Sequence, residues 1–116
     1  MNEAIKAMQQ RVCKAHGTVY FPSPASLKVG ISETVRSGAL PLQGLRHPPE
    51  GDSAGWYIWA GELSEADDFF KPLHISHIAT WTPLALKFLG LPPGWRFLVA
   101  PDYEDVWYDE TLWDVG

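Results

Sequence analysis

The spacing of apolar positions at the start of the chain predicts a helix. Ile5, Met8 and Val12 recur at helical intervals with polar residues between them, as on one face of an amphipathic helix. Gly17 follows at a position where glycine commonly ends a helix. The pattern therefore predicts an amphipathic helix over residues 2–15, and Cys13 is expected to be a small core residue.

Residues 55–61 alternate as a strand whose two faces are both apolar. One face carries Trp56 and Ile58, and the other carries Tyr57 and Trp59. An antiparallel strand with one solvated face shows polar residues on that face, which this segment lacks. We therefore predict that this strand lies near the middle of a covered sheet.

Residues 95–100 and 105–109 predict two strands of an antiparallel hairpin. The first segment alternates along its length, and the connection of residues 101–104 is short enough to favour direct antiparallel pairing. Pro93 and Gly94 precede the first strand and predict a tight turn, with glycine at the position that requires a positive φ.

Two earlier segments give weaker patterns. Residues 18–21 are rich in β-prone side chains and predict a brief strand that the following prolines stop. Residues 23–51 are dense in proline and glycine, so we expect mostly irregular structure there, with one strand or helical turn.

Two further helices are predicted from capping signals. Ser64 and Asp67 have the spacing of a capping box, which predicts a short helix from residue 65 until proline stops it at position 72. Thr82 and Pro83 predict the start of another helix, ended by glycine at position 90, with residues 84 and 88 on one face.

These elements predict a small α+β domain, an antiparallel sheet with helices packed on one face. The length of 116 residues is near the usual size of one domain, and no repeat or linker divides the chain. We expect residues 1–116 to form a single domain.

The charges are unevenly divided along the chain. Residues 1–50 carry six bases and three acids, a net +3, whereas residues 51–116 carry three bases and eleven acids, a net −8. Such an acidic region repels phosphate backbones, and no apolar run approaches the roughly 20 residues that span a bilayer. Neither nucleic acid nor membrane is an expected partner. A single cysteine and no secretory signal fit a cytoplasmic protein.

Candidate chemistry is sparse. The chain has no glycine-rich phosphate loop, nucleophile elbow or zinc-protease motif, so we predict no catalytic residue and no cofactor. His74 and His77 would share one face of a helix, and a third metal ligand would have to come from Asp67, Asp68 or His47. The apolar neighbours of the two histidines favour a helix packed on the core over a metal site.

Residues 89–115 combine aromatic and acidic side chains. They hold three of the six tryptophans and six carboxylates, and no lysine or arginine follows Arg96. Tryptophan is enriched among residues that dominate binding energies, and opposite charge speeds encounter with a basic partner. The alternatives are a solvated acidic surface or a structural rim. The predicted partner-binding residues are Asp102, Glu104, Asp105, Trp107, Asp109 and Glu110.

Four segments carry a resemblance to a known family. They read DSAGWYIWAGE (52–62), FFKPLH (69–74), LGLPPGWRF (89–97) and DVWYD (105–109). Over about residues 50–115 the chain resembles small bacterial immunity proteins of polymorphic toxin systems, the class numbered thirty-three among them. The resemblance implies a non-enzymatic protein that binds a cognate protein toxin and neutralises it stoichiometrically.

Two other functions stay open on the sequence alone. One is a small metal-dependent hydrolase that uses His74 and His77, and the other is an interaction module with no toxin involved. A homo-oligomer formed through an apolar edge strand is also open.

Overall fold

The computed structural model describes residues 3–113, which form a six-stranded sheet in the order β4-β1-β3-β2-β5-β6. The strands are β1 (Lys28–Ile31), β2 (Leu42–Arg46), β3 (Ser53–Ala60), β4 (Lys71–His74), β5 (Trp95–Ala100) and β6 (Tyr103–Tyr108). The α-helices are α1 (Glu3–Ala15) and α2 (Ile78–Trp81), and 3₁₀ helices span Glu33–Ser37, Ile75–His77, Pro83–Phe88 and Glu110–Trp113. Only β1 and β3 run parallel among the pairs within this described part. The predicted α+β class is confirmed.

The first helix is confirmed as α1, although residue 2 lies outside the described residues. Its buried positions are Gln9 and Cys13, whereas Met8 is exposed. The Gln9 Nε2 donates to the Leu86 carbonyl at 2.8 Å, so the amide is satisfied inside the core. Burial raises the pKa of the Cys13 thiol, whose Sγ lies 3.1 Å from the Gly90 carbonyl oxygen. Cys13 is the core residue that the sequence predicts.

The helices pack on one face of the sheet, which we call the helix face. Trp56 and Ile58 of β3 and Phe97 of β5 lie buried there. Phe88 from the 3₁₀ helix Pro83–Phe88 stacks on the Phe97 ring with centroids 4.3 Å apart. The predicted central strand is confirmed as β3, which lies between β1 and β2 in the interior of the sheet. The expectation that both its faces are covered is wrong at Tyr57, which is 36% exposed on the face opposite the helices.

On the helix face, a buried arginine at the end of β2 donates hydrogen bonds to three chain segments. Arg46 is 1% exposed. Its Nε donates to the Ala54 carbonyl at 2.9 Å, and its Nη1 donates to the carbonyls of Phe21 and Leu91 at 2.8 Å each. The guanidinium also lies 4.8 Å from the Phe21 ring centroid. Burial lowers the pKa of Arg46 to about 10, so the group stays charged at neutral pH and needs these acceptors.

The strand predicted over residues 18–21 is wrong. That segment has no regular secondary structure and joins no strand of the sheet. The Phe21 N–H donates to the Gly90 carbonyl at 2.8 Å, and the Phe21 carbonyl accepts from Arg46 instead of from a strand. The backbone N–H and carbonyl of Phe21 thus find hydrogen-bond partners without a neighbouring strand.

Residues 23–51 are more regular than predicted, since they contain both β1 and β2. Each strand holds a glycine on which an aromatic ring from the neighbouring strand lies. A Cβ at Gly30 would come within 2.7 Å of the Tyr57 ring, and one at Gly44 would collide with the Phe97 ring. Glycine is a weak strand signal in a sequence. Here it is required because the ring occupies the place of the side chain.

The helix predicted from residue 65 is also wrong. Ser64 Oγ accepts from the Ala66 N–H at 3.1 Å and closes a local turn instead of starting a helix. The chain then enters β4, which includes Pro72. Proline is tolerated there because β4 is an edge strand and its free side needs no N–H.

The helix after Thr82 forms, but as the 3₁₀ helix Pro83–Phe88. With three residues per turn, positions three apart share a face. Ala85 and Phe88 are therefore buried, whereas Leu84 is 56% exposed. The prediction that residues 84 and 88 share one face is wrong for this reason.

The C-terminal hairpin is confirmed. β5 spans the predicted residues, and β6 begins two residues earlier than expected, which leaves Pro101 and Asp102 as the turn. Gly94 has a φ of +95°, as the predicted turn requires. A Cβ at Gly94 would also meet the Tyr108 ring and the Trp113 indole.

We expect Arg46→Lys to lower the free energy of unfolding by about 2–4 kcal/mol, because one ammonium group cannot reach all three carbonyls and leaves buried acceptors unpaired. Urea denaturation followed by circular dichroism measures the change. Arg11→Lys, at an exposed position of α1, is the matched control and is expected to change stability by less than about 0.5 kcal/mol. Equal effects of the two substitutions would contradict the role given to Arg46.

Candidate partner-binding face

The sheet surface opposite the helices, which we call the open face, carries a continuous row of large side chains. Directly opposed residues in antiparallel strands lie on the same face. Tyr57 opposes Leu45, Leu45 opposes Arg96, and Arg96 opposes Trp107. Tyr57 is 36% exposed and Trp107 is half-buried. The row therefore runs from β3 to the edge strand β6 and presents two aromatic side chains to an approaching partner.

Arg96 organises the β6 end of this row. Its guanidinium carbon lies 5.4 Å from the Trp107 ring centroid, and its Nη1 lies 3.2 Å from the Asp109 carboxylate. The buried Nε of Arg96 has no acceptor among residues 3–113. The cation thus holds the Trp107 ring and the Asp109 carboxylate together.

Asp109 is held from a second side by Thr111. The Thr111 hydroxyl and backbone N–H both donate to Asp109 Oδ1. The hydroxyl bond, followed by the bond from Arg96, lowers the pKa of the Asp109 carboxyl. Asp109 therefore binds Arg96 and Thr111 within the protein, and these contacts largely satisfy its charge.

The structure does not bring the five predicted carboxylates to one surface. Asp105 lies on the open face, where Tyr103 Oη donates to it at 3.3 Å. Glu104 points to the helix side and pairs with Lys87 Nζ at 2.7 Å. Asp102 is exposed in the hairpin turn, and Glu110 is exposed at the other end of β6. Neither these two nor Asp105 has an ion-pair partner in the described part of the chain.

Beside the row, the open face contains a cleft that the sequence analysis missed. Its volume is about 520 Å³, and it lies over β3 between residues 47–50 and the segment 61–70. The apolar lining residues are Leu45, Tyr57, Trp59, Leu63 and Phe70, and His47, Glu50 and Ser53 line it with polar groups. The segments that form it are distant in sequence, so no local motif indicates the cleft.

Gly55 fixes the floor of the cleft. Its φ is +95°, and a Cβ there would collide with the His47 carbonyl oxygen. Ser53 Oγ accepts from the Gly55 N–H at 3.1 Å, and the His47 N–H donates to the Gly55 carbonyl at 2.9 Å. The DSAGW segment therefore has a structural cause, since only glycine allows this close approach of two backbones.

An aromatic cluster forms one side of the cleft. The Phe70 ring contacts the rings of Tyr57 and Trp59 edge-on, with centroids 5.2 and 6.0 Å apart. Trp59 is 2% exposed, and its indole Nε1 has no acceptor among the described residues. An unpaired buried donor costs about 1–3 kcal/mol. The Trp59 indole N–H is thus a buried donor that stays unpaired within the described part of the chain.

His74 and His77 do not share a helix. His74 is the last residue of β4 and His77 ends the 3₁₀ helix Ile75–His77, with ring centroids 6.3 Å apart. Within residues 3–113 no group of three histidine, cysteine, aspartate or glutamate side chains is placed to hold a metal ion. Ile75 and Ile78 beside them are buried in the core, as the packed interpretation predicts.

A comparison with known protein families gives a match that covers most of the chain. The family model of the Imm33-like domain matches residues 8–109, from α1 to the end of the hairpin. The chain belongs to the Imm33-like family. No curated protein and no solved structure gives a significant match. The Imm33-like match also covers residues 8–49, with the second part of α1, β1 and β2, which the resemblance seen in the sequence does not reach.

None of the helices within residues 3–113 of this Imm33-like domain is long and apolar enough to cross a bilayer.

We expect Thr111→Val to raise the pKa of Asp109 toward its ordinary value, because the hydroxyl bond that favours the charged carboxylate is lost. A lowered pKa stabilises the fold above the pKa of the unfolded chain, and this contribution disappears as pH falls through the folded pKa. The variant should therefore lose less stability on acidification than the wild type. Side-chain carboxyl NMR titration measures the pKa.

Thr80→Val, at an exposed position of α2, is the control and should leave the Asp109 titration unchanged. An Asp109 pKa that is the same in Thr111→Val and wild type would contradict the assignment.

Proposed function

We propose that this protein is an immunity protein that binds a cognate bacterial toxin in the cytoplasm and blocks it as a stoichiometric inhibitor. The observation that carries this proposal is the Imm33-like match over residues 8–109. The site supports it, because the open face offers surface side chains typical of protein docking and the described residues offer no metal-ligand group.

The physical argument for docking rests on the row from Tyr57 to Trp107. Partly exposed aromatic side chains that are held rigid serve as anchors, since little conformational entropy is lost when a partner covers them. Trp107 is held by Arg96, and Arg96 is held by Asp109. The partner thus meets a preorganised surface.

Electrostatics sets the expected chemistry of the partner. Asp105 lies on the open face, and Asp102 and Glu110 lie at the two ends of β6, without ion-pair partners in the described chain. We place Trp107 and Asp105 in the contact, with Asp102 and Glu110 at its rim and Asp109 as the residue that positions Arg96. A basic toxin surface fits this arrangement.

The proposal predicts protection in cells. Expression of the toxin encoded beside this gene should stop growth of a bacterial host, and co-expression of this protein should restore it. The purified pair should form a one-to-one complex in light scattering. Failure both to restore growth and to bind would remove the immunity function.

The proposed face predicts a difference between two neighbouring charge reversals. Asp105→Lys is expected to slow association with that toxin about tenfold at low ionic strength, because it places a cation on the open face. Glu104→Lys makes the same change of charge on the same strand but on the helix side, and is expected to alter the rate less than about twofold. Stopped-flow fluorescence measures both rates, and equal rates for the two variants would argue against docking on the open face.

A further inference from the structure

The two segments that flank the cleft carry carboxylates that form no ion pair in the described part of the chain, and we call these carboxylates the acidic rim. Segment 61–70, which supplies Leu63 and Phe70 to the cleft, carries four carboxylates and no base. These are Glu62, Glu65, Asp67 and Asp68. Glu50 lines the opposite side. None of these five carboxylates forms an ion pair within residues 3–113, and neither does Lys71, which follows the segment.

The neighbouring charges behave differently. Asp52, close to the same rim, pairs with Lys28 at 3.1 Å. In the C-terminal strand region, Glu104 and Asp109 pair with Lys87 and Arg96. Like Asp102, Asp105 and Glu110 near β6, the carboxylates that flank the cleft thus carry negative charge that is unpaired within the described chain. Low-dielectric walls focus the field of such charges on an entering cation.

The interior of the cleft is apolar, and part of it is open to solvent. Leu63 is 57% exposed and Tyr57 is 36% exposed. Apolar walls that are partly open to solvent suit an apolar side chain of a partner.

We propose that this cleft binds an apolar side chain of the toxin, flanked in the toxin by lysine or arginine residues that face the acidic rim. The inference rests on the proposed immunity function and names the chemistry of the partner at that face. Leu45 joins the cleft to Arg96 and Trp107 on the same face, so one docking surface includes the cleft as its anchor pocket and β6 as its acidic flank.

The test compares two leucines with nearly equal exposure on different parts of the molecule. Leu63, in the cleft, is 57% exposed, and Leu84, outside it in the 3₁₀ helix Pro83–Phe88, is 56% exposed. Leu63→Arg is expected to weaken binding of the toxin encoded beside this gene by about 30-fold or more, because it fills the cleft and adds a positive charge. Leu84→Arg is expected to stay within about threefold of wild type. Titration calorimetry measures the dissociation constants, and thermal unfolding checks that each variant is folded.

A second variant tests the acidic rim without touching the apolar walls. Glu65→Lys combined with Asp67→Lys changes two exposed residues, and is expected to weaken binding about tenfold and to reduce its dependence on salt. This arm keeps the inference testable if Leu63→Arg does not fold. If this double variant binds the toxin with unchanged affinity, the proposed contact between basic toxin residues and the acidic rim is overturned.

The outcomes separate the two proposals. If wild type binds the toxin and both leucine variants bind equally well, the cleft inference is overturned and the immunity function stands. If wild type neither binds nor protects, the immunity function itself falls. If wild type self-associates and Leu63→Arg abolishes this, the cleft belongs to a second copy of the chain, which also overturns the inference.

Discussion

The burial of one arginine charge constrains most of this structure. Arg46 has no carboxylate partner among the described residues, so its charge is stabilised by carbonyls from β3, from residue 21 and from residue 91. A buried cation is costly unless it is hydrogen-bonded. The irregular segments around residues 21 and 91 must therefore stay where their carbonyls reach the guanidinium. This gives a reason why the β-prone residues 18–21 stay outside the sheet.

The same residue connects the core to the candidate site through the backbone. The Arg46 carbonyl accepts from the Gly94 N–H at 2.7 Å, and the Gly94 carbonyl accepts from the Asp109 N–H at 2.7 Å. Asp109 in turn binds Arg96, which holds Trp107. A chain of short bonds thus fixes the aromatic row of the open face from inside the protein. A rigid surface of this kind loses little entropy when a partner binds.

Net charge along the chain is a poor guide to where charge is available. Residues 89–115 carry six carboxylates, yet two of them, Glu104 and Asp109, form ion pairs with Lys87 and Arg96. Segment 61–70 has fewer aromatic residues, and the sequence suggested only Asp67 and Asp68 there as possible metal ligands. Its four carboxylates nevertheless stay free of ion pairs within the described chain. The field that a partner meets depends on which charges the fold has already neutralised.

The sequence by itself determined the elements whose periodicity is strong. These are α1, the central strand β3 with its two apolar faces, the turn at Gly94 and the hairpin of β5 and β6, because local dihedral preferences and apolar spacing are sufficient to specify them. It also indicated the family. Tertiary structure decided the rest. β1 and β2 form by pairing with strands distant in sequence, and each holds a glycine, under Tyr57 or Phe97, that carries no strand signal of its own. The ion pairs and the cleft depend on contacts between distant segments, and sequence spacing does not encode which side chains those contacts bring together.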